Sequence, residues 1–119
     1  MYDLYFGIPS REEGNVLVIT PKSEYSSMEK FAAAALAFLD AKYKYEYWAE
    51  FYQGHPLIPV DAFETRWELS GLDREKQPVH VILEPVLRAF QFGPHSWDDI
   101  TWCLETEEDY IFYNWYADA

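Results

Sequence analysis

The side chains able to do chemistry are few and scattered. His55 stands in "QGHPL" with Glu50 and Asp61 nearby, His80 sits between two valines with Glu84 four residues on, and His95 precedes "SWDD". An imidazole serves as metal ligand or general base when a second ligand or an orienting carboxylate stands at a fixed offset. No two of these histidines have metal-ligand spacing. His55 therefore reads as a turn residue between Gly and Pro, His80 as half of a polar pair on a strand face, and His95 as a residue able to orient Asp98. Cys103 is the only cysteine, so an internal disulfide and a Cys-based zinc site are excluded. Its neighbours Trp102, Leu104 and Glu105 favour the neutral thiol, which suits a packed cysteine better than a nucleophile. The groups Asp98–Asp99 and Glu107–Glu108–Asp109 offer hard oxygen ligands for Mg²⁺ or Ca²⁺. Adjacent side chains on a strand diverge, however, and the spacing of a calcium loop is absent. There is no glycine-rich phosphate cradle and no nucleophile elbow. The expectation is a non-enzymatic protein with no catalytic residues, metal or cofactor.

Charge and aromatic content carry more information. The 119 residues have a net charge of −12, and aromatics make up 19% of them. From Ala89 onward there are seven carboxylates and no lysine or arginine, against fourteen acids and nine bases before it. Phosphates attract basic residues, so direct nucleic-acid binding is disfavoured, and anionic membranes are disfavoured for the same reason. The charge also exceeds the roughly 2–8 that solubility asks of a small domain. A basic partner is therefore a hypothesis worth carrying. The C-terminal stretch "ITWCLETEEDYIFYNWYADA" supplies its candidate contacts: Glu105, Glu107, Glu108 and Asp109 first, then Asp98 and Asp99, with Tyr110, Tyr113 and Trp115 as aromatic anchors. Tyr and Trp are enriched at interfaces, where an acidic rim steers association and aromatic anchors hold the complex.

Three functional classes fit this composition. The first is an inhibitor of the immunity-protein, anti-CRISPR or DNA-mimic kind, occupying the basic nucleic-acid surface of a nuclease or effector. The second is an assembly module, a homodimer or complex subunit, that buries its surplus aromatics between chains. The third is a small ligand-binding domain or enzyme with an aromatic pocket near His55 or His95. The absence of a leader-like start and the lone cysteine point to the cytoplasm of a bacterial or virus-infected cell.

Periodicity predicts the elements that would position these residues. Half of the residues are apolar, with no repeat or low-complexity tract, which suits one domain over 1–119. "YDLYFGI" (2–8) and "VLVIT" (16–20), separated by "PSREEGN", read as a hairpin. Ser26 or Ser27 can cap a helix, with Glu29 at capping-box spacing from Ser26. Met28, Phe31, Ala32, Ala35, Leu36 and Leu39 then recur at helical spacing. Lys42, Glu46, Glu50 and Gln53 continue one polar stripe. This predicts one helix from about 27 to 53, stopped by Gly54 and Pro56, with a bend at Asp40; a strand over 43–49 is the competing reading. "GHPLIPVD" reads as a loop, 63–71 and 78–84 as strands, and 85–92 as a strand or a helical turn. Residues 100–105 and 110–116 read as a closing hairpin. The predicted fold is α+β: a mostly antiparallel sheet, built from the N-terminal hairpin and the C-terminal strands, covered by one long helix.

Overall fold

The computed structural model describes residues 2–8, 13–42, 48–61, 85–93 and 99–117. They form an α+β fold. Six strands make one antiparallel sheet: β1 (Tyr2–Ile8), β2 (Glu13–Pro21), β3 (Leu57–Val60), β4 (Arg88–Phe92), β5 (Asp99–Glu105) and β6 (Asp109–Ala117), in the spatial order β1-β2-β6-β5-β4-β3. β3 to β6 run up and down as a meander, and β6 then lies along β2, in register from Glu13↔Ala117 to Pro21↔Asp109. This pairing joins the N-terminal hairpin to the rest of the sheet.

Helix α1 (Met28–Lys42) crosses one face. Ser27 is its cap: the Lys30 amide donates to Ser27 Oγ at 3.2 Å, and the Phe31 amide to the Ser27 carbonyl at 3.1 Å. The cap thus lies one residue later than the Ser26–Glu29 spacing implies. The buried side of α1 is Met28, Phe31, Ala32, Ala35, Leu36 and Leu39, the stripe its periodicity predicts.

The single helix over 27–53 is not what forms. A second short helix, α2 (Trp48–Tyr52), packs back on the first, and Asp40 Oδ2 accepts the Ala49 amide at 3.0 Å. Nine residues of continuous helix would separate those positions by about 13 Å, so the chain must turn between them. Asp40 therefore caps the next helix, while α1 itself continues past Asp40 to Lys42, so the bend expected at Asp40 does not fall there. Gly54, with φ +81°, follows α2, and Pro56 precedes β3, as the sequence suggests. The segment 54–61 is not all loop, because β3 forms within it. Among the described residues β3 pairs on one side only, with β4, and a strand hydrogen-bonded on one side tolerates a proline such as Pro59. The strands expected at 63–71 and 78–84 lie outside the described residues, as do His80, His95 and Asp98.

The sheet has two apolar faces. On the helix side Val16, Val18, Cys103, Tyr110 and Phe112 pack under α1, with Tyr52 and Phe92. On the other side Leu17, Ile19, Ala89, Leu104, Ile111 and Tyr113 form a second cluster, flanked by Val60, Val86, Trp102 and Trp115. Leu17 and Leu104 are 0% exposed and Ile111 1%, so this second face is core too. Continuous apolar runs such as "VLVI" and "YIFY" are what a strand buried on both faces requires.

Two-sided burial makes Leu104→Ala as costly as a helix-side truncation such as Phe112→Ala. Each should lower unfolding free energy by about 2–5 kcal/mol in urea titration. A near-zero cost for Leu104→Ala would mean the second face is open. Thr20 Oγ1 is buried with no hydrogen-bond partner among the described residues. Thr20→Val should consequently leave the urea midpoint unchanged or raise it, since a buried unmet hydroxyl costs about 1–3 kcal/mol.

Candidate partner-binding surface

The turn between β5 and β6 carries the densest acidic run, and its backbone is held from several directions. Thr106, 1% exposed, organises it. The Asp109 amide donates to Thr106 Oγ1 at 3.0 Å, and the Thr106 amide to the Asp109 carbonyl at 2.9 Å. Short polar side chains favour such turns because they bond to backbone nearby. A 3-10 turn, Lys22–Glu24, lies against it: the Lys22 amide donates to the Glu108 carbonyl at 2.9 Å, and Lys22 Nζ to the Thr106 carbonyl at 2.8 Å. The Glu107 and Glu108 side chains point outward, exposed and without a hydrogen-bond or ion-pair partner among the described residues.

Glu105 belongs to the scaffold of that turn. Its Oε2 accepts from Lys22 Nζ at 2.9 Å, and its Oε1 from Arg88 Nε at 2.8 Å. The clamp therefore ties the 3-10 turn, β4 and β5 together. Arg88 also lies over the Phe90 ring, 5.5 Å from its centroid. Burial pushes the Glu105 carboxyl up, but the hydrogen bonds and charges of Lys22 and Arg88 outweigh it, so the group sits below its ordinary value near 4.5. With Lys22 and Arg88 engaged, this end of the sheet presents Glu107 and Glu108, with exposed Glu24 in the 3-10 turn and exposed Glu29 at the start of α1. Glu29 is near enough for its charge to act on Arg88. Leu87, 53% exposed, stands at the same end, its amide donating to the Glu105 carbonyl at 2.7 Å.

Of the nine residues expected at the interface, the eight that are described do not form one surface. Asp99 and Glu105 bound opposite ends of β5, about 20 Å apart at the usual rise per residue. Asp99 is half-buried and accepts from Asn114 Nδ2 at 2.8 Å, so it serves an interior polar network rather than the acidic turn. Asp109 is half-buried at the start of β6, opposite Pro21. Two of the three aromatic anchors, Tyr110 and Tyr113, are core. Tyr110 lies on the helix side, 7% exposed, its ring 5.4 Å from that of Phe31. Tyr113 lies on the opposite face, 5% exposed, 5.8 Å from Trp102. Alternation along β6 sends them to different faces, and the pairing with β2 and β5 covers both. Trp115 is half-buried on the second face, near the end of β6 away from the turn.

The other candidate groups lie away from this turn. Cys103 is fully buried in the helix-side core, where burial pushes its thiol up and keeps it neutral. His55 is exposed after α2, its amide bonded to the Tyr52 carbonyl. Among the described residues no group of three or more His, Cys, Asp or Glu is placed to hold a metal ion, and no helix is long and apolar enough to cross a membrane. Sequence reasoning missed Lys22, Arg88, Glu24, Glu29 and Leu87, because nothing local announces that they converge. Comparison with family models, with curated proteins and with solved structures returned no match.

The clamp gives a defined pH dependence. Glu105 is held below its unfolded value, so its stabilisation is complete above about pH 4.5 and is lost as pH falls through the lower folded value. Glu105→Gln should therefore cost about 1–3 kcal/mol at neutral pH, as loss of charged hydrogen bonds does. The cost should shrink towards pH 3 in urea titrations of both proteins. A cost that does not change with pH would show that the charge of Glu105 adds nothing to stability.

Proposed function

We propose that this protein is a non-enzymatic, acidic inhibitor that binds the basic nucleic-acid surface of a nuclease or effector, in the manner of an immunity protein, an anti-CRISPR or a DNA mimic. The observation that carries this reading is the braced turn at 105–109. Its outward carboxylates, Glu107 and Glu108, lie on a turn against which the 3-10 turn carrying Glu24 is packed, while Lys22 and Arg88 are each bonded to Glu105. A cluster of negative charges on a braced turn, in a chain of net charge −12, attracts a cationic channel at long range and offers it anions, as a phosphate backbone does. Exposed Leu87 supplies an apolar contact beside them. With Tyr110 and Tyr113 in the core, the interface in this reading is the acidic end of the sheet, and charge rather than aromatic anchoring dominates it. The partner is a basic protein and the setting the cytoplasm of a bacterial or infected cell. Nothing among the described residues favours the homodimer or the pocket near His55: the two large exposed apolar residues, Ile58 and Leu87, stand singly, which is ordinary for a protein surface.

Affinity capture from the producing cell, at low and at high salt, tests the reading. The wild-type protein should retain a basic, nucleic-acid-handling protein and lose it as ionic strength rises. Glu107→Lys/Glu108→Lys should keep the wild-type circular dichroism, because both side chains are exposed, yet bind that partner at least about tenfold more slowly. Capture of no basic protein, or equal association by the variant, would overturn the assignment of this surface.

A further inference from the structure

A second arrangement, on the helix side of the sheet, lies apart from the acidic turn. Tyr52, the last residue of α2, is 5% exposed and reaches down onto the sheet. Its ring centroid lies 4.9 Å from that of Phe92 and 6.4 Å from that of Phe112, edge-on to the latter at 85°. Gly93, with φ +77°, closes the site from below, since a Cβ there would come within 2.5 Å of the ring. The phenol hydroxyl meets Thr101 Oγ1 in a short hydrogen bond. Asn114 Nδ2 in turn donates to Thr101 Oγ1 at 2.9 Å, to Asp99 Oδ1 at 2.8 Å and to the Ile100 carbonyl at 3.3 Å. Thr101 and Asn114 are 1% and 2% exposed, so the hydroxyl that receives the phenol is itself fixed in place.

Aromatic walls, a floor without a side chain and one oriented hydroxyl at the far end are the parts of a phenol site. We infer that the sheet carries a phenol-recognising site occupied in cis by Tyr52, and that this occupancy is the latch holding α2 on the sheet. A five-residue helix has no stability of its own, so its placement depends on what it docks into. The Asp40 cap fixes its first turn and Tyr52 its last. Burial pushes the Tyr52 phenol up to about 12, against a smaller downward effect of the Thr101 bond and a further rise from Asp99 and Cys103, so it remains the neutral donor or acceptor the site needs. A ring without a hydroxyl would leave Thr101 short of a partner in a dry site, and the site should reject it.

Tyr52→Ala vacates the site, and p-cresol and toluene are probes with and without the hydroxyl. p-Cresol should raise the melting temperature of Y52A but not of the wild type, and bind Y52A about tenfold more tightly than toluene. Equal binding of the two probes, or stabilisation by neither, would overturn the site. Tyr52→Phe tests the latch while keeping the ring, and decides the matter if Y52A does not fold. Hydrogen exchange at the Gln53 and His55 amides, which close the end of α2, should accelerate about fivefold to tenfold, with β2 and β6 unchanged. Unaltered exchange at those amides, or acceleration spread evenly over the sheet, would show that Tyr52 is not a latch.

Discussion

Strand β6 carries aromatic side chains on both faces because β2 lies along its whole length on one side and β5 on the other. That place at the centre of the sheet decides where its side chains go. Tyr110 and Phe112 face the helix side with Phe31, while Ile111 and Tyr113 face the other with Leu17 and Leu104. Residues that could anchor a partner on an edge strand become core on a central one. The pairing is also the most distant in the chain: Thr20 meets Tyr110, so the hairpin at one end must find the hairpin at the other. Such contacts are costly in loop entropy and are repaid only by large apolar burial, which a two-sided aromatic strand provides.

The same pairing sets the character of the acidic end. It brings Lys22, just after β2 in the chain, onto the turn that precedes β6, and Arg88 arrives through the pairing of β4 with β5. Both bases converge on one carboxylate, Glu105, and this partly buried, doubly bonded group is worth more than an exposed ion pair would be. The chain thus uses its local positive charge to fix the turn's frame and leaves Glu107 and Glu108 uncompensated. The turn's backbone is held by the residues around it, so Glu107 and Glu108 project from a braced turn rather than from a loose loop.

Local pattern revealed the local elements. The α1 stripe, the closing hairpin and the α+β class can all be read from spacing, because a helix or strand writes its buried face into its own sequence. The α1–α2 turn could not be read in this way. Lys42, Glu46, Glu50 and Gln53 keep helical phase across it, and only the side chain of Asp40 reaching the Ala49 amide shows that the chain doubles back. β3 was hidden by prolines, which a strand paired on one side tolerates. At the candidate surface, the outward acids Glu107 and Glu108 were apparent from composition. Whether Tyr110 and Tyr113 were anchors or core depended on strand order, which no local pattern encodes.

Residue-resolved covalent footprinting of the free protein, reading carboxylates and tyrosines in one mass spectrum, tests the central claim that the acids are presented while the aromatics are core. Glu107 and Glu108 should label rapidly and Glu105 slowly, with Tyr110 and Tyr113 protected until the protein unfolds. Labelling of Tyr110 and Tyr113 as fast as that of Glu107 would contradict the central placement of β6 and return its aromatics to the surface.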